Sequence, residues 1–284
     1  MDPNDIEGAS APPTADTLEL QLTVAPKINL ALQQNSVPIA RELLIRNGTE
    51  TDYKCLALTV ESEPSFVSPR EWRIDRLNAK HTVSVTELKI DLAPTFLQTL
   101  QEATSGHIKF LLRSGGEVLA EERREIRLLA RNEWGGINDL PEIIAAFVQP
   151  NDPAVAIILR EASKVLETAG HPSELNGYQS GNPQRSALIA SAIWMAIVRQ
   201  DLSYAVNPAS FELEGQKVRF PSTVMKERLA NCLDLTVLYA ACLEQAGLHP
   251  VIFFAKEHAF IGCWLVDIDF SRLSNIASVI SVIP

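Results

Sequence analysis

Basic residues are in deficit. Against 35 Asp and Glu the chain sets only 25 Lys and Arg, a formal net charge of −10. A protein that grips nucleic acid through its phosphates needs a basic face, so no direct nucleic-acid binding by this segment is expected. Long apolar runs are missing as well. The longest, Ala187 to Val198, covers about twelve residues and is interrupted by Ser191, against roughly 20 for a membrane span. The opening stretch MDPNDIEGASAPPTADT has neither a basic n-region nor an apolar h-region, so it does not read as a signal peptide. Cysteine is sparse: Cys55, Cys232, Cys242 and Cys263 form no CxxC pair, which argues against a disulfide framework or a zinc knuckle. The expectation is a soluble, cytoplasmic protein with no membrane contact, no metal and no cofactor.

What is present is ordinary globular material. Hydrophobic residues make up 46% and charged residues 21% of 284 positions, enough for sizeable cores and a length suited to about two domains. Residues 1–17, rich in Pro, Ala, Ser and acids, read as a disordered tail. From Leu18 short alternating runs follow: 18–24, 39–47, 53–61, 84–92, 107–113 and part of 121–129. Asn47-Gly48, Ser114-Gly115-Gly116 and prolines 64, 69 and 94 punctuate them. Six or seven short strands over 18–131 predict an immunoglobulin-like β-sandwich, with a helical turn in 96–103 and Cys55 in its core.

Gly135 and Gly136 mark a hinge-like linker over 132–138. Beyond it, over 139–284, the period turns helical. Pro141 opens a short apolar helix, Asn151-Asp152-Pro153 caps one over 154–169, and Asn182-Pro183 begins another reaching about Tyr204. Trp194 and Met195 on that helix read as packing, a place for Trp194 in the lining of a cleft being the alternative. Residues 205–220 read as an irregular approach to a chemically distinctive stretch, and 218–231 as its loop. The apolar ending, Asn275 to Pro284, is expected to be a strand of a domain that continues past the last residue.

The distinctive stretch is NCLDLTVLYAACLEQAGLHPVIFFAKEHAFIGCWLVD, residues 231–267. Apolar positions Leu233, Val237, Leu238, Ala241 and Leu243 lie at helical spacing, with Gly247 at the C-terminal cap. Asn231 is a good N-cap, which puts Cys232 on the first turn, where the helix terminus favours a thiolate. Asp234, two residues on, suits the capping partner. A buried strand and a tight reversal at Lys256-Glu257 then lead into a second strand opened by His258. A histidine beside a helix-start cysteine can hold the thiol proton, and the free amide of Cys232 can donate to an oxyanion. Arg219 reads as a structural charge. His249, in a turn beside Pro250, reads as inert, as do His81, His107 and His171. Cys242 reads as core, and Cys263 points away from the His258 face.

NCLDLTVLYAACLEQAGLHP and EHAFIGCWL resemble the transglutaminase-like superfamily of papain-like thiol enzymes. That pattern is a cysteine at a helix start, an acid two residues on, a Gly turn, then His-Ala-aromatic on a strand. PEIIAAFVQPNDPAV, GQKVRFPSTVMKERLANCLDL and the EHAF stretch more closely resemble a transglutaminase-like module near the start of large bacterial helicase-related proteins. The resemblance implies an α+β fold with Cys232 and His258 as the catalytic pair and a protein or peptide substrate. It also implies an upstream oxyanion donor, for which Gln216 is the best polar candidate and Tyr204 a weaker one, and attached ATPase (helicase) and nuclease domains in a parent protein. Two positions depart from the family: Ala230-Asn231 stand where it commonly has Gly, and the acid that orients the histidine is unassigned. Asp267 lies nine strand steps from His258, roughly 30 Å away, Asp269 is no better placed, and the expected strand 277–283 carries no carboxylate. The expected function is thiol-dependent hydrolysis or transfer of an amide acyl group. The alternative is a catalytically degenerate domain that serves as a partner-binding or regulatory scaffold.

Overall fold

The computed structural model describes residues 16–268; the tail before Asp16, Asp269 and the strand expected over 277–283 lie outside them. The chain divides after Arg131 into two compact units, and its class is mixed α+β.

In the first unit the order is β1 (Leu18–Val24), β2 (Lys27–Ile28), α1 (Leu30–Gln34), β3 (Ala40–Asn47), β4 (Tyr53–Glu63) and β5 (Arg70–Leu77). Then come β6 (Thr82–Ser84), α2 (Pro94–Thr99), β7 (Thr104–Ser114) and β8 (Glu117–Leu128). One sheet runs β1–β3–β6 and the other β2–β8–β7–β4–β5. Strand alternation turns Leu43 and Ile45 of β3, Leu56, Leu58 and Val60 of β4, and Ile108, Phe110 and Leu112 of β7 into one shared core. Gly115 and Gly116, both at positive φ, close the β7–β8 hairpin.

Three local expectations are corrected here. The run 84–92 leaves the ladder after Ser84, and Glu87 takes a left-handed φ of 55° that an extended strand does not permit. β5 was hidden by its charge: in REWRIDRL only Trp72, Ile74 and Leu77 reach the core. Cys55 is exposed, at φ 52°, where the β4–β5 pairing passes from Lys54 to Leu56. The register itself is unbroken there, Lys54 facing Arg76 and Leu56 facing Ile74; it is the left-handed φ of Cys55, outside the extended region, that takes its side chain off the face strand alternation assigns.

In the second unit β9 (Glu133–Trp134) is followed by a 3₁₀ helix (Pro141–Phe147), α3 (Pro153–Thr168), α4 (Pro183–Val198), β10 (Ser203–Tyr204), α5 (Phe211–Glu214) and β11 (Gln216–Lys217). α6 (Pro221–Glu227), β12 (Leu229–Ala230), α7 (Cys232–Gln245), β13 (Pro250–Ala255) and β14 (His258–Cys263) complete it. Asp152 and Asn182 cap α3 and α4 through their side chains, each before a proline that needs no N–H partner. Val155 and Ile158 of α3, Ile189 and Ile193 of α4, and Leu238 and Ala241 of α7 share a second core. Among the described residues no helix is long and apolar enough to cross a membrane.

The stretch 132–138 is held within this unit rather than hanging free. β9 pairs antiparallel with β11. Gly136 (φ 89°) lies so close to Leu213 that an added Cβ would meet its carbonyl oxygen at 2.2 Å. α4 stops at Val198 instead of reaching Tyr204, because Asp201 turns left-handed (φ 53°) and the chain enters β10. Residues 218–231 are not a simple loop: Pro221 starts α6, and Arg228 ends it in the left-handed region. The β13–β14 hairpin is not buried throughout. One face, with Ala259 and Ile261, packs inward, while Phe253 and Phe260 stack on the open face at 5.1 Å.

Candidate active site

The helix-start cysteine is built as its sequence dictates. Asn231 accepts from the Asp234 N–H at 2.9 Å, and the Asp234 carboxylate accepts from the Asn231 N–H at 3.1 Å, a reciprocal capping box that fixes Cys232 at the first position of α7. Asp234 is 0% exposed and also receives the Arg219 backbone N–H at 2.8 Å and the Arg219 guanidinium at 2.9 Å. Burial pushes the Asp234 carboxyl up, while the N–H groups of Arg219 and Asn231 and the guanidinium draw it back. Every partner it has is a donor, which is the environment of an ionised group. Asp234 and Arg219 are thus spent on holding the first turn.

Short strands bring the rest of the site to the sulfur. β10 pairs in parallel with β12, setting Tyr204 opposite Ala230, and the Ala205 N–H continues the ladder to the Ala230 carbonyl at 2.8 Å. The chain leaving β10 therefore passes beside the start of α7, and Asn207 donates through Nδ2 to Cys232 Sγ at 3.1 Å. The Tyr204 hydroxyl hydrogen-bonds the Cys232 side chain and also meets its backbone. Burial, then the neighbouring sulfur, raises that phenol above its ordinary pKa. On the opposite side β14 packs on α7, and the Ala259 N–H points at Cys232 Sγ from 3.4 Å.

Cys232, 5% exposed, opens onto a pocket of about 300 Å³ whose lining also includes His258, Tyr204, Trp194, Tyr239 and Phe260. Cys232 and His258 thus border one cavity, and the residue next to His258 touches the sulfur through its backbone. The His258 ring stacks on Phe260 at 6.2 Å, and among the described residues it has no hydrogen-bond or ion-pair partner. Asp267 stands instead near His249, 3.9 Å from its Nε2. His249 is also more engaged than its turn position implied: Nδ1 donates to the Ile268 carbonyl at 2.8 Å, and the ring meets Tyr178 edge-on.

Gln216 lies off this pocket. It sits in β11 opposite Trp134, buried, with neither amide atom hydrogen-bonded. Three residues on, Arg219 touches the first turn of α7, so Gln216 is set back by roughly 10 Å of extended chain. The residue that sequence reasoning missed is Asn207, which gave no signal beyond being polar in the irregular approach; Trp194, read first as packing, takes the alternative place in the pocket lining. Gly262 admits the Phe253 ring, which an added Cβ would meet at 3.3 Å. Cys242 is fully buried, and burial pushes its thiol up to about 12; Cys263, half-buried, is raised for the same reason. Among the described residues no three His, Cys, Asp or Glu side chains converge as a metal-ligand set.

No protein-family model matches the chain, and no curated protein matches it.

Proposed function

We propose that the second unit is a thiol enzyme of the transglutaminase-like type that hydrolyses or transfers an amide acyl group of a protein or peptide. The observation that carries the reading is the convergence on Cys232. The sulfur sits at a capped helix start, takes N–H groups from Asn207 and Ala259, and shares its pocket with His258. In this reading His258 takes the thiol proton as Sγ adds to the substrate carbonyl carbon. The oxyanion that forms is met by the Cys232 N–H and the Asn207 amide. Collapse breaks the C–N bond, and the departing amine leaves with the proton held by His258. Water or a second amine, giving its proton to His258, then releases the acyl group and restores the thiol.

The resemblance of most of residues 20–268, strongest over 215–265, to the module of bacterial helicase-related proteins supports placing this chemistry in a larger cytoplasmic assembly with ATPase and nuclease parts. The two sheets of the first unit, packed on one core, are compatible with an immunoglobulin-like sandwich. A second reading has its own observation. The His258 ring lacks an orienting partner among the described residues, which favours a scaffold that binds without turnover.

p-Nitrophenyl acetate separates the two. The enzyme reading expects a burst of about one p-nitrophenolate per chain and an acetyl adduct on Cys232 by mass spectrometry. Cys232→Ala abolishes both, and His258→Ala slows the burst on the order of 10²-fold. A wild-type chain that forms no adduct at Cys232 leaves only the scaffold.

A further inference from the structure

The pocket beside the sulfur has a chemical character of its own. One face of α7 runs from Cys232 through Leu235 and Thr236 to Tyr239, positions three, four and seven residues on. That places a floor of roughly 10 Å leading away from the sulfur. Trp194 of α4 stands over Tyr239 with ring centroids 5.6 Å apart. Phe260 and Ile261 of β14 form the other wall. The Tyr239 hydroxyl is committed to the Ala190 carbonyl at 2.7 Å, so what it presents inward is ring. Among the described residues no Lys, Arg, Asp or Glu lines the cavity, and the polar groups that do are those of Cys232, His258, Thr236 and the Tyr204 hydroxyl.

Two of these walls are left open to solvent at a cost. Trp194 and Phe260 are each 46% exposed, and apolar rings uncovered beside a cavity mark the place where a ligand restores burial. A charged side chain entering here would shed water among walls that are mostly apolar, with no Lys, Arg, Asp or Glu among the described lining residues to pair with it.

We propose that this cavity is the acyl-side subsite of the enzyme and that it selects acyl donors with a bulky, uncharged apolar side chain, aromatic or branched aliphatic. The selection is made by Trp194, Tyr239 and Phe260. This assignment rests on Cys232 being the nucleophile. Carbonyl addition at the sulfur leaves the donor's side chain facing the α7 floor. Burying a ring there in place of hydrogen is expected to be worth at least about tenfold in rate.

N-acetyl aminoacyl chloromethyl ketones bearing Phe, Leu, Gly or Asp side chains test it directly, with iodoacetamide as the reagent that needs no subsite. In each adduct the sulfur–carbon bond forms as the halide leaves, chloride from the chloromethyl ketones and iodide from iodoacetamide, and the thiol proton passes to His258. The expected order of second-order inactivation rates, read as adduct on Cys232, is Phe and Leu at least about tenfold above Gly, with Asp below Gly. Trp194→Ala and, separately, Phe260→Ala should bring the Phe-to-Gly ratio down towards one. Equal rates for the four reagents, or a preference for Gly or Asp, with iodoacetamide still modifying Cys232, overturn the subsite and leave the thiol reading standing. No modification of Cys232 by any of the five reagents removes the thiol reading and the subsite together.

Discussion

At the scale of single residues the sulfur's surroundings decide what it can do. Asn207 is the residue whose removal should be most informative, because its amide touches Sγ at 3.1 Å and no cap, core or ion pair depends on it. Asn207→Ala is expected to slow acylation of Cys232 by p-nitrophenyl acetate on the order of 10²-fold, as loss of one aligned oxyanion donor does. An unchanged burst rate would show that the amide is a bystander. Cys232, Asp234 and His258 were legible in the sequence because the signals that place them are local: a cap three residues from its partner and a strand of alternating faces. Asn207 was not, since its place beside Cys232 depends on a two-residue parallel pairing of β10 with β12 that no periodicity announces. Residue type and distance along the chain point to Gln216, but the β9–β11 pairing carries it away from the pocket. Cys55 reads as core from its apolar neighbours; a left-handed φ inside β4 leaves it exposed.

At the scale of elements, the site stands on the first turn of α7. The capping box leaves Asn231 and Asp234 doing different work. Asn231→Ala removes one side-chain acceptor from a helix terminus and is expected to cost about 1 kcal/mol. Asp234→Ala strips the acceptor from three donors at once, one of them the Arg219 guanidinium. Because Arg219 remains partly solvated, with 31% of its side chain exposed, the loss should be about 2–4 kcal/mol, short of what a sealed ion pair would forfeit. Urea midpoints of the two variants check the ordering; an Asp234→Ala chain as stable as Asn231→Ala would show that the ion pair contributes nothing net. The helices with proline after a capping side chain, α3 and α4, could be read from sequence at their starts, since cap and ring act within three residues. Their ends were harder. α4 runs on in pattern to Tyr204, but Asp201 breaks it. β5 and α6 escaped because charged residues dilute the alternation of one and the other is only two turns long.

At the scale of the whole molecule, two separate cores divide the thermodynamics as well as the chain. The boundary near residue 131 was visible as a change of period from two to 3.6, whereas the affiliation of 132–138 was not, being set by a long-range pairing with β11. Tyr178, Tyr239, Cys242 and Cys263 all belong to the second unit, and burial raises the pKa of each. Cys242 is the sharpest case, shifted from 9.0 to about 12 at the centre of α7. A thiol whose pKa is higher folded than unfolded contributes its full stability below the unfolded value. That contribution is lost as pH rises towards the folded value, because only the unfolded chain gives up the proton. For Cys242 the window opens near pH 9 and extends towards 12, at about 1.4 kcal/mol per pH unit. By pH 10 the second unit should therefore have lost about 1 kcal/mol through this group alone, with Cys263 and the two tyrosines, raised in the same direction, adding to the loss. Urea unfolding of the wild type at pH 8 and pH 10 should show that loss, and Cys242→Ala, whatever its own cost in packing, should show a smaller drop between the same two pH values. Equal drops in both chains would mean that the thiol at the heart of α7 ionises in the folded protein as readily as in the unfolded one, and that the core around the helix carrying Cys232 is open to water.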